Sequence, residues 1–90
     1  MRVAVADDLD FELAGSVRDE LLGHVNDGVQ TVTVDLSACE FIDSAGISLL
    51  ISTHLRLAAS GGGIVVTGVG GHVARALDVA GATSIFPIEG

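Results

Sequence analysis

The hydrophobic pattern of this chain of 90 residues switches repeatedly between the period of a strand and that of a helix. Arg2-Val3-Ala4-Val5-Ala6 reads as a short strand, ended by the acidic run Asp7-Asp8-Leu9-Asp10. Val17, Leu21, Leu22 and Val25 share one helical face, which predicts a helix over about residues 17–27 with Ser16 as its cap. Asn26-Asp27-Gly28 supplies the stop. Thr31-Val32-Thr33-Val34-Asp35-Leu36 is rich in β-branched residues and reads as a strand. Ile47, Leu50, Ile51, Leu55 and Ala58 predict a second helix over 45–59, closed by Gly61. Ile64-Val65-Val66-Thr67 is then a short buried strand. A third helix near 72–80 turns Val73, Ala76, Leu77 and Ala80 inward and stops at Gly81. Ile85-Phe86-Pro87-Ile88 closes the chain as a strand or extended tail. Pro87 has no amide proton, so this piece belongs at an edge or an end.

Four strands alternating with three helices imply crossover connections and a mainly parallel sheet. The fold class is α/β, with right-handed crossovers expected and the strand order left open. No repeat, low-complexity segment or linker interrupts the pattern, so one domain is expected over residues 1–90.

Composition narrows the function classes. Three Phe with no Trp or Tyr leave a core of Val, Ile, Leu and Ala. No apolar run approaches the roughly 18 residues of a bilayer span, and the N-terminus lacks the basic and apolar regions of a signal peptide. Membrane insertion is not expected, and a cytoplasmic location is. The single Cys39 cannot form an internal disulfide and reads as a small buried hydrophobe. Twelve acidic residues against four Arg give a formal charge of −8, a field that repels nucleic acid and favours a partner with a basic surface.

The most informative stretch runs Val34-Asp35-Leu36-Ser37-Ala38-Cys39-Glu40-Phe41-Ile42-Asp43-Ser44-Ala45-Gly46-Ile47. A strand ends, a loop follows, and Asp43-Ser44 opens a helix. Ser44 lies at or beside the cap, where free amides and the positive end of the helix dipole favour an anion. A phosphate there would be tolerated locally while adding nearly two negative charges to the surface. The plain alternative is a serine that only caps a helix, the commoner use of serine at such a place.

Asp35-Leu36-Ser37 followed by Phe41-Ile42-Asp43-Ser44-Ala45-Gly46-Ile47 resembles the central signature of STAS-domain anti-sigma factor antagonists, a strand ending in D-L-S and a D-S-x-G loop. Asp8-Leu9-Asp10 is similar to the family's segment before the first helix, with Asp8 in place of the usual glycine. Gly61 to Gly68 looks like its glycine turn and next strand, and Val73 to Phe86 like its third helix and close. The resemblance implies the STAS-like (SpoIIAA-like) fold. It also implies that Ser44 accepts phosphate from an ATPase-type serine kinase that is itself the anti-sigma factor. Unphosphorylated antagonist binds that kinase and frees the sigma factor; phosphorylated antagonist lets go, and a serine phosphatase resets it. Asp10, Asp43, Ala45 and Gly46 fall at positions near the kinase site, the two carboxylates orienting the hydroxyl or contacting the kinase. Ile47, Ser48, Ser52 and Arg56, with Thr53 beside them, would extend the docking face. The competing reading of that stripe is an ordinary solvated helix face.

Many relatives carry a further strand before residues 2–6 and a further helix after the close, so a minimal domain is expected. Its open sheet edge could pair with a second copy, or the true start lies upstream. Other chemistry is poorly supported. Gly68-Val69-Gly70-Gly71 would need glycine at Val73 to bind a dinucleotide, and Gly61-Gly62-Gly63 enters a strand as a turn. His24, His54 and His72 lack metal-ligand spacing, and His54 reads as a half-buried packing residue. Ile42-Asp43-Ser44-Ala45-Gly46 lacks the first glycine of a hydrolase elbow. Neither enzymatic activity nor a cofactor is expected. The alternative function is a STAS subunit of a lipid or anion transport complex, held by constitutive contact.

Overall fold

A computed structural model describes residues 1–89. The elements are β1 (Arg2–Ala4), α1 (Phe11–Asn26), β2 (Thr31–Asp35), α2 (Ser44–Ala58), β3 (Gly63–Thr67), α3 (Gly71–Val79), a 3-10 turn (Ala82–Ser84) and β4 (Ile88–Glu89). The four strands form one sheet in the order β1-β2-β3-β4, every pair parallel. Successive neighbours joined by right-handed crossovers carry their helices on the same face of the sheet. Burial follows that rule. Val3, Val32, Val34, Ile64 and Val66 are buried on one face, whereas Arg2, Ala4 and Thr31 on the other are exposed.

The aliphatic core expected from composition is present. Leu9, Leu21, Leu36, Leu50 and Leu77 are fully buried, and Phe86 is the one aromatic packed among them. His54 is half-buried as expected; its Nδ1 accepts from the Ile64 amide at 3.0 Å and its ring packs against Phe86. The predicted stops at Gly28 and Gly61 both take φ of 84°, the left-handed conformation glycine adopts without steric cost.

Several boundaries differ from the sequence reading. The first helix begins six residues before the predicted 17, capped by Asp10 rather than Ser16, which lies exposed within the helix. The Asp10 side chain accepts from the Leu13 amide at 3.1 Å, and Glu12 suits the positive first turn. β1 ends at Ala4, although the Val5 amide still donates to the Asp35 carbonyl at 3.0 Å. The last strand starts only at Ile88, because residues 82–86 turn through a 3-10 segment that delivers Phe86 to the core. Pro87 sits at the sheet edge, where its carbonyl accepts from Val66.

Candidate functional site

Two loops at one end of the sheet lie side by side. One joins β1 to α1, the other β2 to α2. Leu9 and Ile42 form an isolated parallel bridge: the Leu9 amide donates to the Phe41 carbonyl at 3.0 Å, and the Asp43 amide to the Leu9 carbonyl at 3.3 Å. Asp8 Oδ1 accepts from the amides of Glu40 (2.9 Å) and Phe41 (3.1 Å). Asp43 completes the clasp. Its Oδ1 accepts from Gly46 N at 3.0 Å, capping α2, while its Oδ2 accepts from Phe11 N at 2.9 Å, capping α1 from outside. One carboxylate therefore fixes both helix starts.

Gly46 makes this approach possible. It is buried, and a Cβ there would run into the Leu9 carbonyl oxygen, with Leu9 Cγ at 2.8 Å and Ile42 Cγ1 at 2.9 Å. At the end of β2, Asp35 accepts from the Ser37 amide at 2.9 Å and from Arg2 at 3.0 Å. The Ser37 amide and hydroxyl, then Arg2, hold its carboxyl below the ordinary range. Cys39 is buried as expected; its thiol donates to the Phe41 carbonyl at 3.0 Å, and burial pushes its pKa up. It is part of the clasp and a poor nucleophile.

Ser44 is the first residue of α2 and is exposed. The cap is Asp43, so the Ser44 hydroxyl is not needed to start the helix. The amides of Ser44 and Ala45 have no hydrogen-bond partner among the described residues. Asp10 accepts from the Leu13 amide and Asp43 from those of Phe11 and Gly46, and neither hydrogen-bonds Ser44 among the described residues.

The other predicted residues fall on two sides of α2. Ala45, Ser48, Ser52 and Arg56 line a groove of about 720 Å3 between α1 and α2, opposite Gly15 and Arg18. Ile47 is half-buried on the other side, facing α3. Thr53 does not belong to the exposed stripe. It is buried, and its hydroxyl donates back to the Leu49 carbonyl at 2.8 Å, the usual way a helix satisfies an inward threonine. The sequence reading missed a set of exposed apolar side chains around this end: Phe11 (80% exposed), Phe41 (45%) and Val79 (81%), with Leu55 (60%) further along the groove. It also missed His72 and Arg75 on α3, which share a hollow with Ser44.

Among the described residues no group of three or more His, Cys, Asp or Glu is arranged to hold a metal, and no helix is long and apolar enough to cross a membrane.

A sequence model of the family described as Mlab, STAS domain matches residues 1–87. The chain belongs to the STAS domain family. This STAS domain is 29% identical over 75 residues to BtrV of Bordetella bronchiseptica, named as a candidate anti-sigma factor antagonist, covering 83% of the chain and 65% of that relative. It thus spans less than two thirds of BtrV. An anti-sigma factor antagonist from Mycobacterium paratuberculosis superposes with a TM-score of 0.88 at 27% identity, over 98% of this STAS domain and 74% of that structure. SpoIIAA in its unphosphorylated form superposes with a TM-score of 0.76 at 17% identity, over 99% and 76% of the two chains, which bears on the fold alone. SpoIIAA of Bacillus has also been solved in a phosphorylated form, with a TM-score of 0.75 at 17% identity over 97% and 79% of the chains. The expected α/β architecture and its family assignment both hold.

The clasp of this STAS domain carries a direct prediction. Asp43→Ala leaves two amides without their acceptor and is expected to lower stability by about 2 kcal/mol in urea unfolding, near 1 for each lost cap. Asp43→Asn keeps one oxygen for Gly46 and is expected to lose about half as much. Equal losses in the two variants would mean that the bond to Gly46 adds nothing, and an Asp43→Asn protein as stable as its parent would mean the same of the bond to Phe11.

Proposed function

We propose that the chain is an anti-sigma factor antagonist whose binding to an ATPase-type serine kinase is switched by phosphorylation of Ser44. The observation that carries the reading is the setting of that hydroxyl. It is exposed at the first position of α2, free of any capping duty, on a backbone pinned by Asp8 and Asp43. Exposed Phe11, Phe41 and Val79 surround it, the kind of apolar rim a partner surface covers. The groove bearing Ser48, Ser52 and Arg56 extends that face along α2, and Ile47 extends it toward α3.

The kinase transfers the γ-phosphoryl group of ATP. A bond forms from Ser44 Oγ to phosphorus, the bond to the β-phosphate oxygen breaks, ADP leaves, and the hydroxyl proton passes to a base on the kinase or to water. The product carries roughly −1.5 to −2 more charge on a chain already at −8. Brought against a kinase site shaped for a neutral serine, that charge is desolvated and unpaired, so the complex dissociates. Release of the kinase returns it to the sigma factor, and a serine phosphatase restores the binding form. Phosphorylation of Ser44 thereby sets sigma-factor-dependent transcription.

Incubation with the cognate kinase and ATP, read by intact mass, tests the assignment. One phosphoryl group is expected on the parent chain and none on Ser44→Ala. A phosphoryl group retained by that variant would move the acceptor elsewhere. No transfer at all, with tight constitutive binding to a transporter subunit, would favour the transport-complex alternative.

A further inference from the structure

We propose that Arg75 and His72 of α3 form an internal receptor for the phosphoryl group on Ser44. The inference rests on Ser44 being the modified residue and concerns where the phosphate goes once installed.

The first turn of α2 and one face of α3 enclose a shallow hollow whose wall includes Ser44, Asp43, Ile47, His72, Arg75 and Val79. His72 and Arg75 are three residues apart and Arg75 and Val79 four, so they form one stripe of α3 directed at α2. The His72 ring is held there by Phe41, with centroids 5.9 Å apart and planes inclined by 21°. Among the described residues Arg75 makes no hydrogen bond or ion pair. Arg56 is likewise unpartnered among the described residues, and Arg75 differs from it in sharing a hollow with Ser44. Asp43, the acid in the same hollow, has each oxygen on a backbone amide and forms no ion pair with Arg75 among the described residues.

A phosphate on Ser44 supplies what this arrangement lacks. Its oxygens can take the paired N–H groups of the Arg75 guanidinium, an N–H of His72 and the unfilled amides of Ser44 and Ala45. Phosphorylation then does two things to the docking face. It adds a dianion, and it withdraws Arg75 from any acidic group of the partner.

The test uses full-length chain with phosphoserine installed at position 44 during translation, titrated by phosphorus NMR. The charged and titratable side chains around the phosphate are Asp43, His72 and Arg75, and Asp43 is common to all variants compared. Arg75 stabilises the dianion, so Arg75→Gln is expected to raise the second phosphate pKa by about half a unit. His72→Phe, which keeps a ring against Phe41 but loses its N–H, is expected to raise it by less. Arg18→Gln removes the same charge from α1, on the other side of α2, and is the control for the general field. The Arg75 Nε–H resonance is expected to shift on phosphorylation. Equal phosphate pKa changes in Arg75→Gln and Arg18→Gln, or an Arg75 resonance indifferent to the phosphate, overturn the proposal. Because the phosphoserine is supplied in translation, failure of the kinase to modify Ser44 would leave this result intact and count only against the switch.

Discussion

Gly46→Ala is expected to lower the unfolding free energy by about 2–3 kcal/mol, although alanine is the better helix former. In an open helical position the change removes backbone freedom from the unfolded chain and stabilises by up to about 1 kcal/mol. Position 46 is not open. The added methyl meets the Leu9 carbonyl, a backbone atom held by the Asp43 amide, together with the Leu9 and Ile42 side chains. None of these can swing aside as the end of a flexible side chain would. Relief requires the two loops to part, which strains the Asp8 and Asp43 hydrogen bonds as well. Gly23→Ala in α1 is the matched comparison, since a Cβ there meets nothing within 4 Å. It is expected to raise stability by about 0.5–1 kcal/mol. Urea unfolding of the two variants should therefore move in opposite directions. A Gly46→Ala protein as stable as its parent would show that the loops are not tightly clasped.

The alternation of strand and helix was legible because each segment has its own hydrophobic period, and the strong period of residues 47–58 placed α2 to within one residue at either end. The start of α1 was not legible. Asp7, Asp8, Asp10 and Ser16 are all competent caps, and the choice among them comes from Asp43, more than thirty residues away, which binds the Phe11 amide. The exposed Phe11 also breaks the apolar pattern that would have announced the helix. Thr53 misled for the opposite reason: a polar residue in an inward position looks like surface until its hydroxyl is seen bonded to its own helix. The short β4 reflects the pull of Phe86 into the core ahead of Pro87.

The Ser44 loop stands out in the sequence by its motif, and the structure gives a reason for the motif's shape. Asp43 caps, so Ser44 is free; Gly46 is bare, so the neighbouring loop fits against it. What the motif could not convey is the company the serine keeps across the fold. Phe11 comes from α1, Phe41 from the preceding loop, and His72, Arg75 and Val79 from α3. The spacing of His72, Arg75 and Val79 was a usable signal. The inward Val73, Ala76 and Leu77 of the same helix mask it, because they account for the helix's packing by themselves.

The second large effect expected is on association. If Ser44 is the acceptor, as proposed, its phosphorylation is expected to leave the fold unchanged, because the free amides of the first turn suit an anion. Its expected effect is on the complex, where like charges or an unpaired dianion cost several kcal/mol. A loss near 2.8 kcal/mol corresponds to about a hundredfold in affinity. Ser44→Asp carries one charge rather than nearly two and is expected to weaken binding by about tenfold.

Titration calorimetry of the cognate serine kinase against the two purified forms reads this directly. The chain acts as a switch only if attaching a dianion to a single hydroxyl dislodges a protein docked over it. About a hundredfold weaker binding of the phosphorylated form, with superimposable circular dichroism, is the predicted result. Equal affinity for both forms would contradict it.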